Sequence, residues 1–178
     1  MKMLLIFLFF IPHVVLANDW GALEKEGAIA IMRHALAPGT GDPMTFDLRD
    51  CGTQRNLDER GRTQARSIGK TFKERGINFD VVFTSQWCRT RETAELLDLG
   101  PVLEAASLNS FFRDYSVRDE LTAATRALIT GNEGRLMLVT HQVNISALTG
   151  QSTRSGEVLV IRPNGNGVEV LGSILIEP

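Results

Sequence analysis

Three runs of apolar residues stop abruptly at polar chemistry. Residues 28–34 read AIAIMRH, residues 79–85 read FDVVFTS and residues 135–141 read RLMLVTH. Short continuous apolar runs rich in branched and aromatic residues suit strands buried on both faces, as in a parallel sheet flanked by helices. Such a sheet delivers its strand ends to one edge, where ligands bind. Arg33-His34, Ser85 and Thr140-His141 are therefore expected to converge, with Arg89 one turn further on. Two arginines and two histidines buried together are costly unless an anion compensates them. A fixed cation beside an imidazole suits an anion that is to be attacked, and phosphate is the commonest such anion. The plain alternative for any one stretch is a strand that ends in polar residues.

The intervening chain supports alternation of strand and helix. Residues 35–57 carry Pro38, Gly39, Gly41, Pro43 and Gly52, so an irregular segment is expected there. A loop of that length is usually functional. Arg49, Asp50 and Arg55 within it face either substrate or solvent. A helix is predicted from Arg62 to Arg75, where Ala65, Ile68 and Phe72 share a face and Gly76 stops it. Further helices are predicted over 90–98 and 120–130, the latter with Leu121, Ala124 and Leu128 at helical spacing, and a short one over 144–148. Pro101 to Glu104 suits a short strand. Residues 109–118, NSFFRDYSVR, read as a loop entering a helix. Glu157 to Arg162 and Gly167 to Ile176 suit two strands joined through Pro163-Asn164-Gly165-Asn166, a hairpin signal. The expected fold is α/β: a three-layer α/β/α sandwich whose mainly parallel sheet has an antiparallel edge.

The first 17 residues have another character. Lys2 precedes an apolar run to Leu16, and Val15-Leu16-Ala17 places small residues where a signal peptidase would cut before Asn18. Residues 1–17 read as a signal peptide and 18–178 as one domain, in a periplasmic or secreted protein without stable membrane insertion once cleaved. An uncleaved anchor is the rival reading, although the run is short for a bilayer. Export bears on Cys51 and Cys88, the two cysteines. In an oxidising compartment they are expected to pair, the alternative being two buried thiols. The whole chain has formal charge −2 and a pI near 5.9, which gives no case for a nucleic-acid partner. His13 lies in the leader, so imidazole chemistry in the mature chain falls to His34 and His141.

Four motifs in this order resemble the histidine phosphatase superfamily, which has the phosphoglycerate-mutase-like fold. Arg33-His34-Ala35 matches the family's Arg-His-Gly, with alanine for glycine. Leu57, Gly61, Gln64 and Ala65 match a Leu-x-x-x-Gly-x-x-Gln-Ala element. Ser85, Arg89, Thr93 and Ala94 match Ser-x-x-x-Arg-x-x-x-Thr-Ala, and His141 matches a second histidine after a late strand. The resemblance implies a phosphatase in which His34 carries the phosphoryl group as a phosphohistidine that water then hydrolyses. Arg33 and Arg89 would hold the nonbridging oxygens, and His141 would donate to an equatorial oxygen. Ser85 and Arg55 are candidate substrate contacts. No metal or cofactor is expected, since the arginines supply positive charge and the chain lacks the carboxylate cluster of a two-metal site.

Two departures concern the proton donor. Gln142 follows His141 where the acid phosphatase branch has aspartate, and Leu108-Asn109-Ser110 offers no carboxylate where the other branch has glutamate. Asp114, then Glu104 and Glu92, are the nearby carboxylates. Compartment points to a small phosphorylated molecule or an envelope glycolipid phosphate as partner. The alternative is a non-catalytic anion-binding envelope protein on the same fold; a mutase fits poorly with the chain's length and export.

Overall fold

The computed structural model describes residues 18–176, so the signal-peptide reading of residues 1–17 lies outside the described residues. Six strands form one sheet: β1 (Ile29–Arg33), β2 (Val81–Thr84), β3 (Val102–Glu104), β4 (Leu136–Thr140), β5 (Val158–Asn164) and β6 (Gly167–Ile174). Their order is β3-β2-β4-β1-β5-β6. The first four are mutually parallel; β5 runs antiparallel to β1, and β6 to β5. This is the expected mainly parallel sheet with an antiparallel edge.

Helices cover both faces, which explains the continuous apolar runs. Alternate residues of one strand point to opposite sides. Ala30, Met32, Val82, Met137 and Val139 pack with Ile68 and Phe72 of α1 (Glu59–Glu74) and with Ala94 and Leu97 of α2 (Cys88–Leu97). Ile29, Ile31, Phe83 and Leu138 pack with Ile129 of α3 (Arg118–Thr130) and with Ile145 and Leu148 of α4 (Gln142–Thr149). These are the three expected layers.

Some boundaries and one face differ from expectation. Helix α1 begins at Glu59, because Asp58 accepts from Gly61 N at 2.9 Å and caps it. Helix α2 begins at Cys88, two residues early. In α3 the buried residues are Thr122, Thr125 and Ile129, not Leu121, Ala124 and Leu128. The threonines can be buried because each hydroxyl donates to a carbonyl, Thr122 to Arg118 O and Thr125 to Ser107 O. The hairpin turn is Gly165-Asn166 alone, with Gly165 at φ +57, while Pro163 pairs within β5 opposite Val168. No described helix is long and apolar enough to cross a membrane.

Candidate active site

Sheet register alone brings the two histidines together. Arg33 on β1 lies opposite Thr140 on β4, so the next residues, His34 and His141, leave the sheet side by side. His34 N donates to Thr140 O at 3.0 Å, and Ser85 N donates to Val139 O at 3.2 Å from the other flank. The imidazole centroids are 5.6 Å apart. Both rings are almost fully buried.

The orientation of His34 follows from one contact. Its Nδ1 lies 2.7 Å from Ala35 O. A carbonyl only accepts, so Nδ1 carries the proton and Nε2 keeps the lone pair. Burial, then the charges of Arg89, Arg55 and Arg33, push the His34 pKa well below its ordinary value; the bond to Ala35 opposes this. The ring is therefore a neutral imidazole at neutral pH. His141 is likewise held neutral, by burial and then by Arg89, His34, Arg55 and Arg33.

Several motif residues fix the turn after His34. Ala35 N donates to Thr93 Oγ1 at 3.1 Å, and Leu36 N donates to Gln64 Oε1 at 2.9 Å. The Gln64 amide also donates to Ser155 O. Leu57 and Ala65 pack with Ala35 and Ala37. A Cβ at Gly61 would lie 1.9 Å from Leu36 O, so only glycine lets α1 approach this turn. Ala35 replaces a glycine without strain, since Asp98 is the one non-glycine residue with positive φ among the described residues.

Ser85 faces His141 rather than the cavity. Its hydroxyl lies 2.8 Å from His141 Nε2 and 2.7 Å from Thr90 Oγ1, and the residue is fully buried. Its hydroxyl is thus engaged by the second histidine. His141 is anchored at Nε2, with Nδ1 lying 3.5 Å from Arg89 Nη2.

Arg33, Arg55, Arg89 and Arg113 line one cavity of about 220 Å³ with both histidines. They are differently engaged. Arg33 Nη1 donates to Thr153 O at 3.1 Å, while its buried Nε has no partner. Arg89 spends its terminal nitrogens on Asp42 and Arg55 O, and its Nε is also buried without a partner. Arg55 donates Nε to Gly41 O at 2.8 Å and Nη1 to Ala37 O, so it braces the loop over the site as well as lining it. Burial, followed by the charge of Arg89, pushes its pKa down to about 10. Four arginines and two neutral imidazoles on one cavity suit it to an anion.

The carboxylates expected near the site lie elsewhere. Asp114 is exposed and caps a 3-10 turn through Ser116. Glu104 pairs with Arg91 and Glu92 with Arg62. Arg49 pairs with Asp47 on the surface, and Asp50 accepts from Gly52 N. The carboxylate that does line the cavity is Asp42, in the Gly39-Thr40-Gly41-Asp42-Pro43 turn. The one sequence signal for it is an aspartate in a glycine-rich turn between His34 and Arg55. Cys51 and Cys88 form a disulfide, which ties this loop to the first residue of α2, next to Arg89. Gln54 supports the same junction, accepting from Cys88 N at 2.9 Å and donating to Asp47 O and Leu48 O. No group of three or more His, Cys, Asp or Glu able to hold a metal ion occurs among the described residues.

Residues 29–110 match the model of the histidine phosphatase superfamily (branch 1). A 2,3-bisphosphoglycerate-dependent phosphoglycerate mutase from Bartonella henselae is 33% identical over 70 residues, covering 39% of this chain and 32% of the mutase. The mitochondrial serine/threonine-protein phosphatase Pgam5 of Drosophila mojavensis is 31% identical over 80 residues, 45% of this chain and 27% of that protein. The matched part thus spans about a third or less of these relatives' length. The structure of the protein histidine phosphatase SixA complexed with tungstate superposes with TM-score 0.55 at 17% identity, covering 83% of this chain and 96% of that one. A phosphoserine phosphatase from Entamoeba histolytica gives TM-score 0.60 at 12% identity, covering 84% and 98%. These structures share the fold.

Proposed function

Because this chain belongs to the histidine phosphatase superfamily, we propose that it is a phosphatase that works through a phosphohistidine on His34. The observation that carries this reading is the buried neutral His34, with Nε2 unprotonated, in a cavity that Arg33, Arg55, Arg89 and Arg113 also line. Nε2 attacks phosphorus in line, and the leaving oxygen departs with its bonding pair. Water then attacks the phosphohistidine, the phosphorus–nitrogen bond breaks, and the pair returns to Nε2. Arg33 and Arg89 hold the nonbridging oxygens as charge shifts between them. His141 is anchored by Ser85 at Nε2, with Nδ1 beside Arg89 Nη2. With four guanidinium groups on the cavity, the reaction needs no metal for charge.

The substrate we propose is an exported phosphomonoester, either a small phosphorylated molecule or an envelope glycolipid phosphate. The leader-like sequence of residues 1–17 and the Cys51–Cys88 disulfide support an oxidising compartment. The test is release of phosphate from an aryl phosphate by the chain lacking residues 1–17, with a chelator present. An aryl oxygen leaves with little help from an acid, so the test does not depend on a proton donor. Turnover that survives the chelator and disappears in His34→Ala is the expected result. If the unaltered chain releases no phosphate, the reading gives way to a non-catalytic anion-binding protein.

A further inference from the structure

Asp42 lines the cavity, yet every acceptor position it has is filled. Oδ1 accepts from Arg89 Nη1 at 2.7 Å and from Arg55 N at 3.1 Å. Oδ2 accepts from Arg89 Nη2 at 3.1 Å and from Trp87 Nε1 at 3.1 Å. Four donors saturate the lone pairs of a carboxylate. Burial raises its pKa, but the hydrogen bonds and charge of Arg89, with smaller help from Arg55 N and Trp87, more than offset this and hold it below the ordinary value. Asp42 has neither a proton to give nor a lone pair to take one, so it is not the missing acid.

We propose that Asp42 is the resident counter-charge of the anion site: it stays on Arg89 when phosphate arrives and limits the positive charge the ligand meets. This rests on the reading that the cavity receives a phosphoryl group. Its permanence follows from how the turn is braced. The Asp42 and Arg89 side chains are 6% and 3% exposed. Arg55 holds Gly41 O and Ala37 O, and Arg113 donates to Pro43 O at 3.3 Å. Phe46, further along the turn, stacks on Trp87 with centroids 5.1 Å apart. A phosphate that displaced the carboxylate would have to break this set together.

The charge balance gives the consequence. Arg33, Arg55, Arg89 and Arg113 contribute four positive charges at the cavity, the two imidazoles none, and Asp42 removes one. The remaining three lie nearer the charge of a phosphomonoester dianion than the four that would face it without Asp42. Without Asp42 the excess charge would also tighten the hold on product phosphate, and binding energy shared by ground and transition states does not raise kcat.

The test is the affinity for inorganic phosphate, measured by calorimetry on the chain lacking residues 1–17, in Asp42→Asn against the unaltered chain. Removing a negative charge from beside the anion should tighten Kd about tenfold while kcat on an aryl phosphate falls. A purely structural role predicts the opposite sign, because an unheld Arg89 binds phosphate worse; unchanged or weaker binding in a folded variant overturns the proposal. Asp114→Asn, which removes an exposed charge outside the cavity, should leave Kd within about twofold; equal tightening there makes the effect generic and also overturns it. Should Asp42→Asn not melt cooperatively, Asp42→Ala is titrated with formate, which should weaken phosphate binding again. Absence of that effect, or failure of both variants to fold, reduces Asp42 to a part of the fold and ends the proposal. If the unaltered chain itself binds no phosphate, the phosphatase reading fails, and this inference with it.

Discussion

His34 and His141 follow β1 and β4, two adjacent strands whose side chains are buried on both faces of the sheet, and the ladder itself sets their separation. Asp42 and Arg55 sit on residues 35–57, where the regular structure is one 3-10 turn and an isolated bridge. That second region is positioned by side chains reaching for carbonyls, by the Asp42–Arg89 pair and by one disulfide. A ladder distributes positional information over many cooperative bonds. A braced loop concentrates it in a few side chains. Single substitutions in the two regions should therefore fail differently: near the strand ends they should cost chemistry with little stability, and in the loop they should cost both.

Arg89, on α2, contacts both regions through Asp42 and His141, so its loss is the most severe test. Arg89→Met should lower kcat/KM by about a thousandfold or more. It also leaves Asp42 buried without its cation, which costs about 3–5 kcal/mol. Calorimetric melting and steady-state kinetics on the same preparation read both, and a variant that kept its melting temperature would break the comparison. Arg33→Met, beside the nucleophile, should lower kcat/KM about a hundredfold, with a melting temperature within a few degrees of the unaltered chain. Replacing both Cys51 and Cys88 by serine should cost about 2–4 kcal/mol, for a bridge closing a separation of 37 residues, and reduce kcat/KM roughly tenfold through a looser Asp42 and Arg55. If stability fell while kinetics stayed fixed, the loop would not need the bridge to hold its geometry.

Acid sharpens the same contrast with a smaller effect. Folding keeps His34 and His141 neutral by lowering their pKa values, chiefly through burial. Below about pH 6.5 the unfolded chain takes up protons that the folded chain refuses. Stability is therefore complete above that value and declines as pH falls through the window between the unfolded and folded pKa values. The acid limb of kcat/KM should lie below pH 6.5 for the same reason, since His34 remains a nucleophile there. Melting curves and rates between pH 8 and 5 check both; an acid limb at or above 6.5 would mean that His34 is not held neutral.

Much of the sheet was legible in the sequence because burial on both faces leaves an apolar run with a visible end. Arg33, His34 and His141 were legible for the same reason: they are where such runs stop. The face of α3 was misread because Thr122 and Thr125 hide their hydroxyls on backbone carbonyls, which hydropathy alone does not reveal. Asp42 was missed because a loop has no period from which its direction can be read. Ser85 and Arg55 are close to the site, but their hydrogen bonds go to His141 and to loop carbonyls, and such a choice of partner is settled only when the chain is folded.

The strand order has a consequence for the moment at which the site comes into existence. β1 lies between β4 and β5, and its residue Ala30 pairs with Met137. Contacts so distant in sequence form late and slow folding, because a long loop must close first. Cys51 and Cys88 are much closer in sequence, so their crosslink needs neither β4 nor β5. A chain still being made can thus close this loop while His34 waits beside an empty place in the sheet. The two imidazoles meet only when β4 is added, so a chain ending before His141 lacks the paired site.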